Sequence, residues 1–452
     1  MFKNCVVFLA FVICYLNVGA QNDTVSNTYI PKDLNTIEAY LSEINTDYIK
    51  TIDGQYASKI KKVYKNRDEK VIKSINDSCY IFSPEIEKPL QNILQNIYIV
   101  NPEIDPSNYR FFINNSFVPN ASCYGDGMFE INLGLFNTFT SDDEIASVIC
   151  HEIAHKLLSH SLQNVSNWIA QFNSKETKQK VRDVKRQRYG QTRAALSVID
   201  ELKIDILDYS KEIEAQADSL GFILYSKTRY QQNKALSALK KLKVEDDMLL
   251  DHNVKVDSVF NFETYPFKAY WLKETTSIFD TTEKIDEFKL DSDTLKTHPE
   301  IEFRVEKLSR NFGIVKTEGI GTKDQINLIQ QISHHKAIQS AIDRKFLDFA
   351  IYLLIEKFQN DHISEAYYYT TMALVLKQIY EVKASHKLGK FVPPKNNFSD
   401  EKHLNTIRLF LHNLELKETR KMGLAFCLMH QNTLNLSSAG TAVYEFFNTI
   451  NN

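Results

Sequence analysis

The chain is poor in cysteine, nearly balanced in charge and without a long apolar run after its first residues. It has 452 residues and six cysteines, of which Cys5 and Cys14 lie in the first twenty positions. The other four are too few for a disulfide scaffold in a chain of this size, and Cys79 with Cys123 is the one pair that we consider for a bridge. The formal net charge of −3 gives no reason to expect nucleic acid or an anionic membrane as a partner.

The first twenty residues read as a secretory signal peptide. Lys3 supplies the positive start, residues 6–16 form an apolar core, and Val18-Gly19-Ala20 offers small residues for cleavage before Gln21. A membrane anchor is the alternative, but the apolar run is shorter than the ~20 residues that a spanning helix needs. No later stretch is long and apolar enough to span a bilayer. We therefore expect an exported bacterial protein, periplasmic or secreted, with no integral membrane segment after cleavage.

Residues 151–155 read His-Glu-Ile-Ala-His and carry the strongest chemical signal in the chain. Histidines four positions apart lie on one face of a helix, so both rings can reach one metal ion while Glu152 points at a metal-bound water. Ser141 and Glu144 predict a capping box at the start of this helix. A zinc hydrolase is the first hypothesis, and two ordinary helix histidines are the alternative. Apolar residues recur along the segment at helical spacing: Ile145, Val148, Ile149, Ile153, Leu157 and Leu158.

A third ligand decides between these hypotheses, because catalytic zinc usually takes three protein ligands and a water. Residues 210–221 read Ser-Lys-Glu-Ile-Glu-Ala-Gln-Ala-Asp-Ser-Leu-Gly, inside a segment with helical spacing of its apolar residues. Glu214 and Asp218 fall on one face of that helix. We therefore expect His151, His155 and Glu214 to bind one zinc ion per chain, and Asp218 to accept the free ring N–H of a ligating histidine.

These motifs resemble those of the zinc metallopeptidases that include the CAAX prenyl proteases, HtpX, BepA and Oma. Their paired signature is HExxH followed by a helical ExxxD, with Ala before the Asp and Gly three residues after it. A third element here, Thr297-His298-Pro299 followed by Arg304, resembles the family's histidine-proline segment and arginine helix. The resemblance covers residues 75–310. The matching positions of the paired signature are His151, Glu152, His155, Glu214, Ala217, Asp218 and Gly221.

The resemblance implies an α+β, mainly helical fold. It predicts a zincin-like metalloprotease domain, with a small β-sheet next to the helix of residues 151–155, followed by an α-helical C-terminal domain. Residues 109–114 and 128–133 alternate as strands. The predicted parts are a signal peptide at 1–20, an N-terminal helical segment at 21–75, the zinc metallopeptidase domain at 76–312 and the C-terminal domain at 324–452.

The resemblance also implies roles for residues outside the two metal helices. Asn120, Ala121 and Ser122 lie in the hairpin whose edge strand receives substrate as an added strand. Two roles are open for His298: contacting the tetrahedral oxyanion, or occupying the open zinc position in a latent state. A histidine at a helix start, followed by Pro299, is the structural alternative. Arg304 is expected to pair with a carboxylate near the site.

These residues imply peptide-bond hydrolysis without an acyl-enzyme intermediate. Zinc activates a water and polarises the carbonyl, and Glu152 takes the water's proton and delivers it to the leaving amine. Resemblance suggests a role in extracytoplasmic protein quality control, with proteins or peptides as substrates. The alternative is a chaperone-like or client-binding protein with a latent metalloprotease core.

The remaining stretches predict helices with fewer chemical implications. His160 is expected to be a solvated or terminal-turn residue of the same helix as His151. Residues 165–209 are polar and predict a helical hairpin, either a lid on the cleft or a solvated helix pair. Residues 346–358 with 364–382 resemble a tetratricopeptide-type helix pair, although no clean 34-residue period follows. The C-terminal domain is the predicted contact for a protein partner. Its predicted helices span 325–342, 345–358, 364–382, 403–414 and 417–429.

Overall fold

The computed structural model describes residues 34–186, 211–248, 252–274, 301–314, 323–395 and 401–450. The predicted signal peptide and His298 lie outside these ranges, as does the second half of the predicted 165–209 hairpin. Within the described residues, no helix is both long and apolar enough to traverse a bilayer. The cysteines at 79, 123, 150 and 427 are free thiols, so the bridge that we considered between Cys79 and Cys123 is not formed.

Three helices precede or border the sheet, and the first two form the predicted N-terminal helical segment. Pro84 stands at the start of the third helix, where its missing N–H costs nothing and its fixed φ suits the first turn. The buried faces of these helices carry isoleucine, leucine, valine and tyrosine at helical spacing. The helices are α1 (Leu34–Thr51), α2 (Ala57–Asn76) and α3 (Pro84–Val100).

The sheet has four short strands in the order β1-β2-β4-β3, so that β3 lies at one edge. Strand β1 is antiparallel to β2, β2 is parallel to β4, and β3 forms an antiparallel hairpin with β4. The predicted strands at 109–114 and 128–133 correspond to β2 and β4, whereas the two-residue β1 has too short a pattern to predict. The strands are β1 (Tyr80–Ile81), β2 (Arg110–Asn114), β3 (Ala121–Cys123) and β4 (Met128–Asn132).

The HExxH motif lies on α5, a helix that packs against β3 and α9. Ser141 is its N-cap residue, as predicted, but the predicted capping box is absent. The Glu144 carboxylate instead accepts hydrogen bonds from the Thr140 backbone N–H and from Ser237 and Lys241 of α9. The helices of this region are α4 (Gly134–Thr138), α5 (Asp142–Leu157), α6 (His160–Asn173), α7 (Lys175–Arg186), α8 (211–226) and α9 (Asn233–Met248).

The C-terminal part is built of helices, and the five predicted ones are present with ends shifted by a few residues. The helix at 438–449 was not predicted. Helices α13 and α14 pack together as the predicted pair, although a repeat array is not shown. The remaining described helices are α10 (Val256–Val259), α11 (Ile301–Phe312), α12 (Lys323–Asp343), α13 (Leu347–Gln359), α14 (Glu365–Ala384), α15 (Leu388–Phe391), α16 (Lys402–Asn413), α17 (Leu416–Met429), α18 (Gln431–Leu434) and α19 (Ser438–Thr449).

Two large hydrophobic cores are present in the described residues. One core joins α3, the sheet, α5, α8, α9 and α11. The other joins the second half of α12 and helices α13 to α19 with residues 252–274. Aromatic packing holds residues 252–274 in this second core, because Phe260 stacks on Phe410 and fully buried Trp271 lies against the same ring.

Candidate metal centre

Helix α5 brings two histidine rings to one point beside α8. The Nε2 atoms of His151 and His155 are 3.0 Å apart, because residues four positions apart stack on one helix face. Glu214 Oε2 lies 3.3 Å from His151 Nε2, and Glu214 Oε1 lies 3.5 Å from His155 Nε2. Among the residues that the structure describes, these three form a group whose possible ligand atoms all lie within 4.8 Å of one another. The predicted ligand set is therefore brought together.

Gly221 allows α8 to approach α5 closely enough for this geometry. A Cβ atom at Gly221 would lie 2.8 Å from His151 Cα and 3.0 Å from His151 N, which is closer than real Cβ atoms come to backbone. Glu214 is two turns earlier on α8, so the approach at Gly221 determines how far the carboxylate reaches. Close packing of α8 against α5 therefore explains why the predicted signature has a glycine at position 221.

Asp218 lies beside the outer nitrogen of His151. His151 Nδ1 is 3.0 Å from Asp218 Oδ1, and Arg304 of α11 donates two hydrogen bonds to the same carboxylate, at 2.7 and 2.6 Å. Arg304 Nη1 also lies 3.2 Å from Glu214 Oε2. Burial disfavours the charged form of Asp218, but the Arg304 guanidinium outweighs it and lowers the pKa of Asp218 to about 2. The carboxylate thus stays ionised beside His151 Nδ1.

The electrostatics of the site favour a cation among the three candidate ligands. Burial lowers the pKa of His151, but hydrogen bonds with Asp218 and Glu214 outweigh it and raise that pKa to about 10. The same field that favours positive charge on this ring favours a metal ion beside it. Burial lowers the pKa of His155 to about 3, so this ring is neutral, as a metal ligand must be. Two imidazoles and a carboxylate are a common catalytic zinc set, so the residues fit the ion.

Glu152 is placed beside the candidate ligands and against the edge strand. The Cys123 backbone N–H lies beside its carboxylate and favours the charged form, a neighbour that the sequence pattern did not predict. Burial raises the pKa of Glu152 to about 7, against the opposing charge of His151. A carboxyl with a pKa near neutrality can accept and return a proton, which is what a general base and acid must do.

The edge of β3 opposite β4, which pairs with no other strand among the described residues, faces this site. Asn132 N donates to Asn120 O, and Tyr124 N donates to Met128 O, so residues 120, 122 and 124 form the hydrogen-bonded pairs with β4. In an antiparallel pair, residues that bond to the partner strand alternate with residues whose backbone groups point away from it. The N–H and C=O of Ala121 therefore point away from β4. The Cys123 N–H also points away from β4, in the direction of Glu152. Of the predicted substrate contacts, Ala121 therefore has backbone groups directed where an added strand would pair. The backbone N–H and C=O of Ser122 bond to β4 instead.

A cavity of about 80 Å³ adjoins Glu152 and His151. Its walls come from α4, α5, α8, α9 and α11, from the predicted residue Asn120 before β3, and from the predicted residue Ala121 at the start of β3. Apolar side chains dominate the walls: Leu135, Val148, Phe222, Leu239, Leu242, Ile301 and Leu308. The cavity can hold an apolar group next to the candidate metal ligands.

The prediction for His160 was wrong. Helix α5 ends at Leu157, and Ser159 adopts a left-handed conformation with φ of 56°, so His160 begins a new helix, α6, directed back at the site. His160 is 1% exposed, and its Nδ1 lies 3.0 Å from His155 Nδ1. The sequence did not reveal the end of α5, because a left-handed residue that ends a helix is usually a glycine and here it is a serine.

The family model for peptidase family M48 matches residues 84–311, just over half of the 452 residues. The chain belongs to this family. It is also 27% identical, over 148 residues, to a protein of Arabidopsis thaliana described as mitochondrial metalloendopeptidase OMA1. That match spans 32% of this chain and 28% of the length of the plant protein. The resemblance to HtpX- and Oma-type peptidases is confirmed, and it supports a metallopeptidase.

Proposed function

We propose that the protein is a zinc-dependent endopeptidase. The observation that carries this proposal is the convergence of His151, His155 and Glu214 on one point, with the half-buried carboxyl of Glu152 beside them. When bound there, zinc supplies Lewis acidity, which lowers the pKa of water and polarises a carbonyl. The family assignment supports a peptide as the substrate.

The chain's own groups divide the work of hydrolysis. Glu152 takes a proton from the attacking water as the water oxygen bonds to the carbonyl carbon, and returns it to the amine nitrogen as the C–N bond breaks. The Cys123 N–H orients the Glu152 carboxylate during both transfers. His298 remains a proposed contact of the oxyanion or a plug of the open metal position, and it lies outside the described residues.

The edge of β3 and the adjoining cavity determine how substrate is held. An extended substrate pairs with the outward backbone groups of Ala121, and one apolar side chain beside the scissile bond enters the cavity lined by Val148, Phe222 and Leu239. Peptides with an aliphatic residue at that position should be cleaved in preference to those with a charged one, because burying an unpaired charge costs several kcal/mol.

The proposed setting is an exported compartment, in protein quality control. It rests on the signal-like residues 1–20 and on the resemblance to BepA-like members. A chaperone-like client binder is the competing function, and the helical C-terminal part is what supports it. The presence of Glu152 favours the protease, because client binding alone needs no general base.

Cleavage by a Glu152→Gln variant separates the two functions. Mature wild type should bind one zinc ion per chain, measured by metal analysis, and should cleave casein; Glu152→Gln should retain zinc and lose cleavage by a factor of at least about 10². Glu43→Gln, an exposed position of α1, is the matched control and should cleave like wild type. Zinc binding with no cleavage that depends on Glu152 would contradict the protease assignment.

A His298→Ala variant tests whether the protein is latent. If wild type is inactive and His298→Ala cleaves casein in a Glu152-dependent way, the plug role is supported. If His298→Ala lowers the activity of an active wild type, the oxyanion role is supported. If neither protein cleaves any unfolded substrate, the client-binding function takes its place.

A further inference from the structure

His160 joins the candidate metal ligand His155 to a chain of hydrogen bonds that leads to the surface. His160 Nδ1 is 3.0 Å from His155 Nδ1, and His160 Nε2 is 3.2 Å from Gln216 Oε1 on α8. Gln216 Nε2 in turn donates to Glu212 Oε1 at 3.3 Å. His160 is almost wholly buried, whereas Gln216 and Glu212 are exposed. The chain thus begins at a surface carboxylate and ends at a ring nitrogen of a metal ligand.

Each step of this chain allows one direction of donation. The Glu212 carboxylate has no proton to give, so the Gln216 amide directs its NH₂ to Glu212 and its oxygen to His160. An amide oxygen accepts only, so His160 carries its proton on Nε2 and has a lone pair on Nδ1. That lone pair accepts from His155 Nδ1–H, which leaves the lone pair of His155 on Nε2.

We propose that His160 and Gln216 are positioning residues that fix the His155 tautomer in which Nε2 binds the metal. This inference rests on the proposed zinc function. It places a polar partner at the outer nitrogen of the second imidazole, as the Asp218 carboxylate is placed 3.0 Å from Nδ1 of the first. A ligating histidine commonly donates its other N–H to such an acceptor, which orients the ring and raises its basicity. The two acceptors differ in charge: an ionised Asp218 at His151, and a neutral imidazole at His155.

Paired substitutions separate hydrogen bonding from packing. His160→Phe keeps a buried ring but removes the acceptor, so zinc affinity should fall about 10- to 100-fold, the usual loss when a supporting partner of a metal ligand is removed. His160→Asn places an amide oxygen near the former Nδ1 and should restore most of the affinity. Gln216→Met tests the outer step at an exposed position, where folding is not at risk, and Gln216→Glu should restore its acceptor.

The measurement is zinc affinity of the full mature chain, by competition with a chromogenic chelator. It is accompanied by two-bond ¹⁵N–¹H spectra of histidine-labelled, zinc-loaded protein. We expect Nδ1–H on His155, Nε2–H on His160, and weaker zinc binding in the order wild type, Gln216→Met, His160→Phe. His252→Ala, at a partly exposed position beside the C-terminal core, is the control for loss of a distant histidine.

The outcomes distinguish this inference from the proposed function. If wild type binds no zinc, the proposed function itself fails. If wild type binds zinc but Gln216→Met and a folded His160→Phe bind it equally well, the positioning role is overturned and the zinc site stands. A spectrum with the proton on His160 Nδ1 would likewise overturn it. If His160→Phe fails to fold, the zinc affinities of Gln216→Met and Gln216→Glu decide the question: equal affinities overturn the positioning role, and weaker binding by Gln216→Met supports it.

Discussion

At the scale of single residues, Arg304 organises the candidate metal centre without being one of the candidate ligands. It is 5% exposed, and its guanidinium serves both Asp218 and Glu214. A planar guanidinium can donate to two carboxylates at once, which a lysine ammonium on a flexible stem does less well. The residue belongs to α11, so that helix is tied to the site by charge as well as by Ile301 and Leu308.

Arg304→Met should destabilise the protein strongly. Removing one partner of a buried ion pair leaves an uncompensated charge on Asp218, at a cost of about 3–5 kcal/mol. Urea unfolding of zinc-free protein measures this loss. Arg310→Met is the matched control on the same helix, because Arg310 pairs with Glu306 on the surface, and its effect should stay within about 0.5 kcal/mol. Equal shifts for the two variants would contradict the role given to Arg304.

Gly221→Ala should loosen the metal centre through the backbone. The new methyl group meets His151 Cα and N on α5, and neither can move aside as a flexible side chain would. Overpacking of this kind costs about 1–3 kcal/mol, and the separation of α8 from α5 should weaken zinc binding as well. Chelator competition and thermal unfolding are the two measurements.

Gly389→Ala provides the comparison for Gly221→Ala. Gly389 lies in the short helix α15, and a Cβ there meets nothing within 4 Å. The same change should leave zinc affinity unaltered and should stabilise by at most about 1 kcal/mol. If Gly389→Ala and Gly221→Ala behave alike, helix approach does not limit the site.

At the scale of elements, β3 contributes backbone N–H and C=O groups whose direction cannot be read from its sequence. Alternation with β4 turns the Ala121 N–H and C=O outward and the Ser122 groups inward. Ala121→Pro removes the outward N–H and leaves the ladder to β4 intact. We expect kcat/KM for an extended peptide to fall about tenfold, because the loss of one hydrogen bond costs roughly 1.4 kcal/mol. Zinc affinity should be unchanged.

Ser122→Pro supplies the contrast for that prediction. It removes a group directed at β4, so it should lower stability in the middle of the hairpin and reduce activity only as a consequence. Should Ala121→Pro cleave the peptide at the wild-type rate, substrate does not add to this edge as a strand.

The elements that could be predicted were long helices with periodic apolar residues and motifs with a fixed spacing between ligand residues. The helices carrying His151 and Glu214 follow from their apolar periodicity, and their contact follows from metal chemistry. The capping box failed because Ser237 and Lys241, 93 and 97 positions away, compete for the Glu144 carboxylate. His160 was misplaced because one left-handed serine ends the helix early. Local pattern could not show either effect, because the partners of Glu144 are distant in the chain and the residue before His160 is a serine, which rarely adopts a left-handed conformation.

At the scale of the whole molecule, α12 connects the two cores. Ile329 in its first half belongs to the core of the peptidase domain, where Ser333 donates to the Leu133 carbonyl. Ile338 and Ile342 in its second half belong to the C-terminal core. A helix shared in this way transmits the stability of one part to the other, so the C-terminal helices support the fold that positions the candidate metal ligands.

The middle of α12 carries a buried histidine that makes this connection sensitive to acid. His334 is 4% exposed, and its ring stacks on His362 at 4.1 Å, with Lys357 and His335 also close. Burial, followed by the charge of Lys357, lowers the pKa of His334 to about 2. In the unfolded chain its pKa is about 6.5. Below pH 6.5 the unfolded state therefore binds a proton that the folded state does not.

Stability should consequently fall as the pH drops from 6.5, by about 1.4 kcal/mol per pH unit from this one group. His334→Phe keeps an aromatic ring in the stack and removes the titrating group, so the slope between pH 6.5 and 4.5 should decrease by about that amount. The unfolding midpoint in urea, followed through the emission of buried Trp271, gives the slope at each pH. His403→Phe, at a partly exposed position of α16, should retain the wild-type slope. An unchanged slope in His334→Phe would mean that His334 is protonated inside the fold, and that its stack with His362 holds a charge.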